Sequence, residues 1–466
     1  MVQDITATPT APVDKLDFKK ILPIFVIVLI DLLGVTIIIP LMPLYATSFA
    51  ATPLMIGVLG AAYPLMQFIG APILGRLSDR FGRKPILIIS QLGTLTGFLI
   101  LGFATNLWML FLSRTIDGIS GANIATAQAA ITDSTTEKTR TQGLGLIGAA
   151  FGLGFVIGPV IAFLSLAASG NNYHVPAFVA ACFSLISILL TWFWFPETLP
   201  KEKRGQSGQK PAFSFADLFK ALTHPSVGML LVLIFSQQVV FGGFEQLFSL
   251  FTLSRLGLAA RGNSILFVYI GIIVVAVQGY YIGKWSRRFG DRRLIYAGLA
   301  LLALGMILVA FTPRVPLPGY SQQKLNVEIT SGGEMRAHEN PTTQNLPVRL
   351  PPDTRTGYLG LVWILIAVIP ASIGGGMLQP TINSSITKRI AMDEIGGMLG
   401  ISAALLSGAN AIAPLLWGVV FQALGPSWPF ILGGILLLGL LLLATRTISS
   451  VSEQTTPTGV ARGEVS

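Results

Sequence analysis

The chain has 466 residues, of which 52% are hydrophobic and only 11% charged, against roughly 25% charged in a typical soluble domain. So few charges cannot cover a water-facing surface, which excludes a soluble enzyme or a nucleic-acid binder. Lys and Arg outnumber Asp and Glu by 31 to 21, a net charge of +10, and the positions of those positives point to a membrane surface. One cysteine, Cys182, excludes an intramolecular disulfide and a cysteine-rich metal site. His174, His224 and His338 lie far apart, so no metal and no cofactor is expected.

Residues 1–20 are polar, and no short apolar segment with a small-residue cleavage site stands apart in them, so no cleaved signal peptide is read. Apolar runs of about the 20 residues that cross a bilayer as helix then fall near 21–45, 54–75, 86–104, 107–131, 142–166 and 176–196. After a polar linker at 197–226 containing KEKRGQSGQKP, six more follow near 227–252, 263–283, 294–312, 358–386, 396–421 and 428–446, with a polar tail at 447–466. The expected fold is therefore an all-α integral membrane protein of twelve transmembrane helices, in halves 21–196 and 227–446. The stretch 313–357, rich in Pro, Asn, Gln and Thr, reads as an extracytoplasmic insert, mostly irregular. With both termini inside, 23 of the Lys and Arg fall on the inner side and seven outside, the bias that sets topology. Arg114 is left inside a span.

The halves repeat each other. GRLSDRFGRKP at 75–85 aligns with GKWSRRFGDRR at 283–293, an offset of 208, and Gly145 and Pro159 align with Gly400 and Pro414 at an offset of 255. The register growth of 47 matches the insert, so the insert belongs to one copy only.

The first copy of this turn, from Gly75 through Asp79, Arg80, Gly82 and Arg83 to Pro85, allows a plain reading as a basic inner loop. It closely resembles the G-x-x-x-D-R-x-G-R-R/K signature of the major facilitator superfamily, and the resemblance extends over nearly the whole chain. Asp31-Leu32-Leu33-Gly34 with Pro40 and Pro43 is similar to the first-helix pattern of the drug/proton antiporters. Phe111 to Gly118 looks like their fourth-helix arginine motif, and Gly148-Ala149-Ala150-Phe151-Gly152-Leu153-Gly154-Phe155-Val156-Ile157-Gly158-Pro159 like their fifth-helix signature. Pro196-Glu197-Thr198 resembles the usual close of helix six. Tetracycline and multidrug exporters are the nearest group. The chain departs from them at Ala162-Phe163, where a glycine pair is usual, and at Thr94-Leu95-Thr96-Gly97, where the tetracycline exporters carry an acid. These departures speak against tetracycline itself.

Asp31 lies about ten residues into its span, roughly 15 Å deep at the helical rise. A carboxylate there serves ions or substrate, or else is hydrogen-bonded to a neighbouring helix for structure. Arg114 and Asp117, three apart on a helix, are close enough to pair; the resemblance implies proton relay for Arg114, and a merely packed neutral pair is the alternative. Asp133, at the end of span four, either joins Asp79 and Arg80 in a conformational latch, as the resemblance implies, or is a solvated helix-end charge. Gly148, Gly152, Gly154 and Gly158 have small-residue spacing that lets helices approach and, with Pro159, read as a seam between the halves. Gln238 in span seven either lines a cavity or laces helices together, and Glu245, near the outer end of that span, either lines the cavity or sits at the membrane interface.

The resemblance implies a proton-coupled antiporter that exports small apolar or amphipathic compounds by alternating access. Its partners are the substrate, protons and the lipid bilayer, with no nucleic acid. The expected form is a monomer in the plasma membrane with both termini cytoplasmic. A symporter or uniporter for a sugar or organic anion, or a ligand sensor without turnover, are the alternatives.

Overall fold

The computed structural model describes residues 17–121, 123–136, 139–205, 215–331, 346, 348–390 and 395–448. The outer parts of both tails, the middle of the linker and Lys138 lie outside the described residues. All regular structure among the described residues is helical. The first half comprises α1 (Phe18–Ile38), the short α2 (Met42–Ser48), α3 (Pro53–Phe81), α4 (Arg83–Gly102), α5 (Leu107–Ser120), α6 (Asn123–Asp133), α7 (Arg140–Ala168) and α8 (His174–Phe193). After α9 (Phe215–Leu222) in the linker, the second half comprises α10 (Gly228–Leu256), α11 (Ala260–Ala276), α12 (Ile282–Phe289) and α13 (Asp291–Ala310). It continues with α14 (Gln322–Ser331), α15 (Leu359–Thr387), α16 (Ile395–Leu424) and α17 (Trp428–Thr447).

Among the described residues, eleven helices are long and apolar enough to cross a membrane, α11 and α12 counting as one through a π turn at Val277–Tyr281. The fourth span, expected as one run over 107–131, is instead divided into α5 and α6 near Gly121. Glycine holds a helix poorly, and here it makes room: a Cβ at Gly121 would lie 2.6 Å from the Tyr63 hydroxyl. Span one also ends early, because Pro40 and Pro43 stop α1 and start α2. Trp108, Phe193 and Leu442 are exposed, as an apolar outer surface requires in lipid.

The packing repeats with the sequence. Within the first half α4 packs on α5 and α8, and α1 on α7; within the second α13 packs on α15 and α17, and α10 on α16. The halves meet where α3 lies on α16 and α7 on α11. Those meetings are tight at the end that carries the insert. Gly57 faces the Pro414 carbonyl, Gly418 faces that of Pro53, and the Leu54 N–H donates to Gln422 at 3.1 Å. The Ser249 hydroxyl donates to the Pro40 carbonyl at 3.1 Å across the same seam. Toward the linker end the spaces beside Gly75, Gly145, Gly148 and Gly400 are open. The halves therefore touch at the insert end and part toward the linker end.

The described residues of the insert are mostly irregular, with one helix among them. That helix is α14, whose Leu325 and Ile329 are buried. Two apolar side chains four apart are too sparse to register as a helix against polar neighbours, yet they suffice to hold one turn-and-a-half face down.

Candidate functional site

Asp31, on the middle of α1, lines a cavity inside the first half together with Tyr63 of α3, Leu87 and Gln91 of α4 and Ile124 of α6. The walls are laced: the Gln91 amide donates to the Ser187 hydroxyl at 2.8 Å, and that hydroxyl donates to the Ile27 carbonyl at 3.4 Å. Each link satisfies a buried polar group where no water is at hand.

Tyr63 joins this cavity to a second charged group. It stands within electrostatic reach of Asp31, Asp117 and Arg114 together, and the Arg114 guanidinium lies 5.8 Å from its ring and 5.7 Å from that of Phe98. Arg114 and Asp117 form the expected ion pair at 3.1 Å, with Asp117 fully buried. A lone charge there would be prohibitive, whereas a pair flanked by aromatic faces is tolerable. Asp117 packs over Gly97, where a Cβ would meet its own at 2.9 Å, and Thr94 lies beside it. An acid thus occupies the α4–α5 contact although α4 carries none. Sequence reasoning missed Tyr63 and Gln91; an aromatic and an amide are common in spans and carry no spacing of their own.

In the second half, the Gln238 amide donates to Asn410 at 2.7 Å, Ser402 donates to Asn383 at 3.0 Å, and Gln246 fills the space beside Gly60 of α3. Glu245 is half-buried on α10. Gln238 therefore laces α10 to α16, and the cluster of Asp31, Tyr63, Arg114 and Asp117 lies in the first half.

At the linker end, the turn between α3 and α4 is organised by Arg83, not by Arg80. Arg83 bonds Asp133 at 2.9 Å, Asp79 at 2.5 Å and the Ser78 hydroxyl at 2.8 Å. Arg80 is exposed over the Phe81 ring. The two arginines cannot be told apart by charge; the helix start that turns Arg83 inward decides. Glu197, read only as part of a helix ending, accepts the Arg83 and Lys84 backbone N–H groups at 2.9 and 3.3 Å and so caps α4 at the end where the helix dipole favours a carboxylate. Gly82 has φ +107° and a Cβ there would meet Glu197. In the second half Asp291 takes the hub, bonded by Ser286 and, at 2.7 Å each, by Ser384 and Lys388.

The glycines of α7 do not form one seam. Gly154 and Gly158 face Thr36 of α1 in their own half, Gly152 faces Val275 of α11 in the other, and Gly148 faces open space; Pro159 lies inside α7.

A family model described as Major Facilitator Superfamily matches residues 24–362. Among curated proteins the chain is 27% identical to "Tetracycline resistance protein, class B" of Escherichia coli, over 93% of this chain and 95% of that protein. It is 26% identical to "Multidrug resistance protein 2" of Bacillus subtilis (strain 168), over 89% and 92%. Among solved structures it is similar to the human organic anion transporter MFSD10 (TETRAN), with TM-score 0.57 and 21% identity over 93% of this chain and 100% of that one. It is also similar to the nucleoside transporter NupG, with TM-score 0.67 and 12% identity over 92% and 99%.

Proposed function

Since the chain belongs to the Major Facilitator Superfamily and is a multi-pass membrane transporter, we propose that it is a proton-coupled antiporter exporting small apolar or amphipathic compounds. The observation that carries this reading is Asp31, a carboxylate deep in an otherwise apolar and amide-lined cavity, linked through Tyr63 to a buried ion pair. The curated relatives named for tetracycline and multidrug resistance support the export direction.

In the proposed cycle an ionised Asp31 holds a cationic or polar group of the substrate while the cavity is open toward the linker end. After the halves rock, a proton neutralises Asp31 and the substrate leaves. Low dielectric favours the neutral carboxyl, a bound cation favours the carboxylate, and their competition is the coupling. Arg114 and Asp117 set the field through Tyr63. An importer of organic anions fits less well, because the cavity's titratable group repels anions. The proposal places the protein in the plasma membrane as a monomer. It places the linker 197–226 and both termini in the cytoplasm, on the weight of the inner positives, with 21–196 and 227–446 as the moving halves.

The test is export from proteoliposomes with an imposed pH gradient. Asp31→Asn keeps the size of the protonated carboxyl and removes its titration, so the variant should fold and bind but fail to accumulate substrate against a gradient. Gradient-driven export equal to the parent's would refute the coupling role.

A further inference from the structure

The described part of the insert is fastened to both halves. Its base belongs to the second half. The Gly357 N–H donates to the Pro316 carbonyl at 2.8 Å, and Gly360 at the start of α15 packs against the Val315 carbonyl and Leu256. Tyr320 lays its ring on Gly257, whose φ of +65° ends α10 and where a Cβ would collide with the ring. The Tyr320 hydroxyl donates to the Pro351 carbonyl at 3.0 Å, and Asp353 accepts the Gln322 N–H at 2.7 Å. From that base α14 runs across to pack on α2 of the first half. Leu325 and Ile329 are buried, and Glu328 comes within reach of Arg261 on α11 and of Tyr173 at the start of α8. Arg261 itself lies over Phe163 of α7, at 5.1 Å, across the same seam.

We infer that the insert is a clasp that holds the insert end of the two halves shut. Parting the halves at that end pulls α2 away from a helix rooted in α10 and α15, so α14 must leave either its base or its seat before the end opens. The seat is the weaker attachment. It is made of apolar contact, with Glu328 near Tyr173, whereas the base is hydrogen-bonded and sterically matched. The clasp therefore biases the resting molecule toward the state open at the linker end and slows its reversal. The first half has no counterpart, so the bias is a property of this insert and not of the repeat. It concerns the conformational equilibrium and is independent of proton coupling.

The experiment uses full-length protein in lipid vesicles at symmetric pH, with Cys182 replaced by Ser. Spin-label pairs at positions 50 and 423 report the insert end, and pairs at 76 and 284 the linker end. Ile329→Asp, which puts a charge into the seat, should raise the population of long distances at the insert end by roughly tenfold or more, the equilibrium factor for one buried aliphatic side chain. The linker-end pair should shorten in step. Leu325→Ala, a milder change to the same seat, should move both pairs in the same directions by less, and it carries the test if Ile329→Asp does not fold. Unchanged distances in folded Leu325→Ala, or a change at the linker end alone, would overturn the inference.

Discussion

Asp291 stands in the second half where Arg83 stands in the first, 208 positions earlier, and it binds Lys388 where Arg83 binds Asp133, 255 positions earlier. The repeat has kept the ion pair and exchanged its charges. Ser78 and Ser286, also mates, hydrogen-bond the hub in both. What the fold requires at this corner is a tie between helix ends, and either polarity provides it.

The two ties differ in exposure, and that difference sets their contributions. Arg83 is buried between two carboxylates, while Lys388 has 54% of its side chain exposed. Removing Arg83 strands Asp79 and Asp133; removing Asp291 strands a lysine that water can reach. Arg83→Ala should destabilise by about 1–3 kcal/mol and Asp291→Ala by about 1 kcal/mol or less. Thermal unfolding in detergent compares them, and equal losses would contradict the assignment of Arg83 as the tighter hub.

Arg114→Leu alone leaves Asp117 buried without its cation and should cost about 3–5 kcal/mol, whereas Arg114→Leu with Asp117→Leu should cost far less than the two single changes combined. If the pair also serves coupling, the double variant melts near the parent and fails in pH-driven export. A double variant that exports normally would reduce the pair to packing.

Tyr63→Phe keeps the ring under Arg114 and deletes only the hydroxyl that faces Gly121 and the charged groups. The expected result is a normal melting temperature and an export-versus-pH profile displaced along the pH axis. A profile superimposable on the parent's would remove Tyr63 from the coupling path.

The clasp should respond to pH. Burial raises the Glu328 carboxyl above its ordinary range, with Arg261 opposing. Tyr173 faces it from the start of α8, Lys324 is exposed one turn earlier, and α2 presents no charge. A group with a raised pKa when docked holds its proton more firmly docked than free, so docking is favoured at low pH and weakens as pH rises through the docked value. The insert-end distance distribution should thus lengthen from pH 5 to pH 8, and Glu328→Gln should flatten that dependence. A shift of opposite sign would contradict the placement of Glu328.

The spans, the repeat and the turn at Gly75–Pro85 were legible because hydropathy and glycine spacing are local properties. The Arg114–Asp117 pair was legible for the same reason, being fixed by helical geometry. The roles of Arg83, Glu197 and Tyr63 were not. Glu197 reaches a helix start more than a hundred residues away, and Tyr63 acquires its part only when α1, α3 and α5 are brought together. The seam expected of α7 divided for a similar reason, since a small residue permits approach without saying which helix approaches. Leu325 and Ile329 stayed hidden in a segment whose composition is that of a loop.

Gly82 and Gly290 are repeat mates with φ of +107° and +78°, and they set different limits on sequence drift. At 290 the space for a side chain is empty, so a substitution meets only the backbone strain of about 1–3 kcal/mol. At 82 the same strain is joined by eviction of the Glu197 carboxylate from the start of α4. A random-substitution library selected for folded protein should therefore retain some variants at 290 and almost none at 82. Mutational intolerance at this turn would then mark a capped helix start, in a place that no transported molecule has to touch.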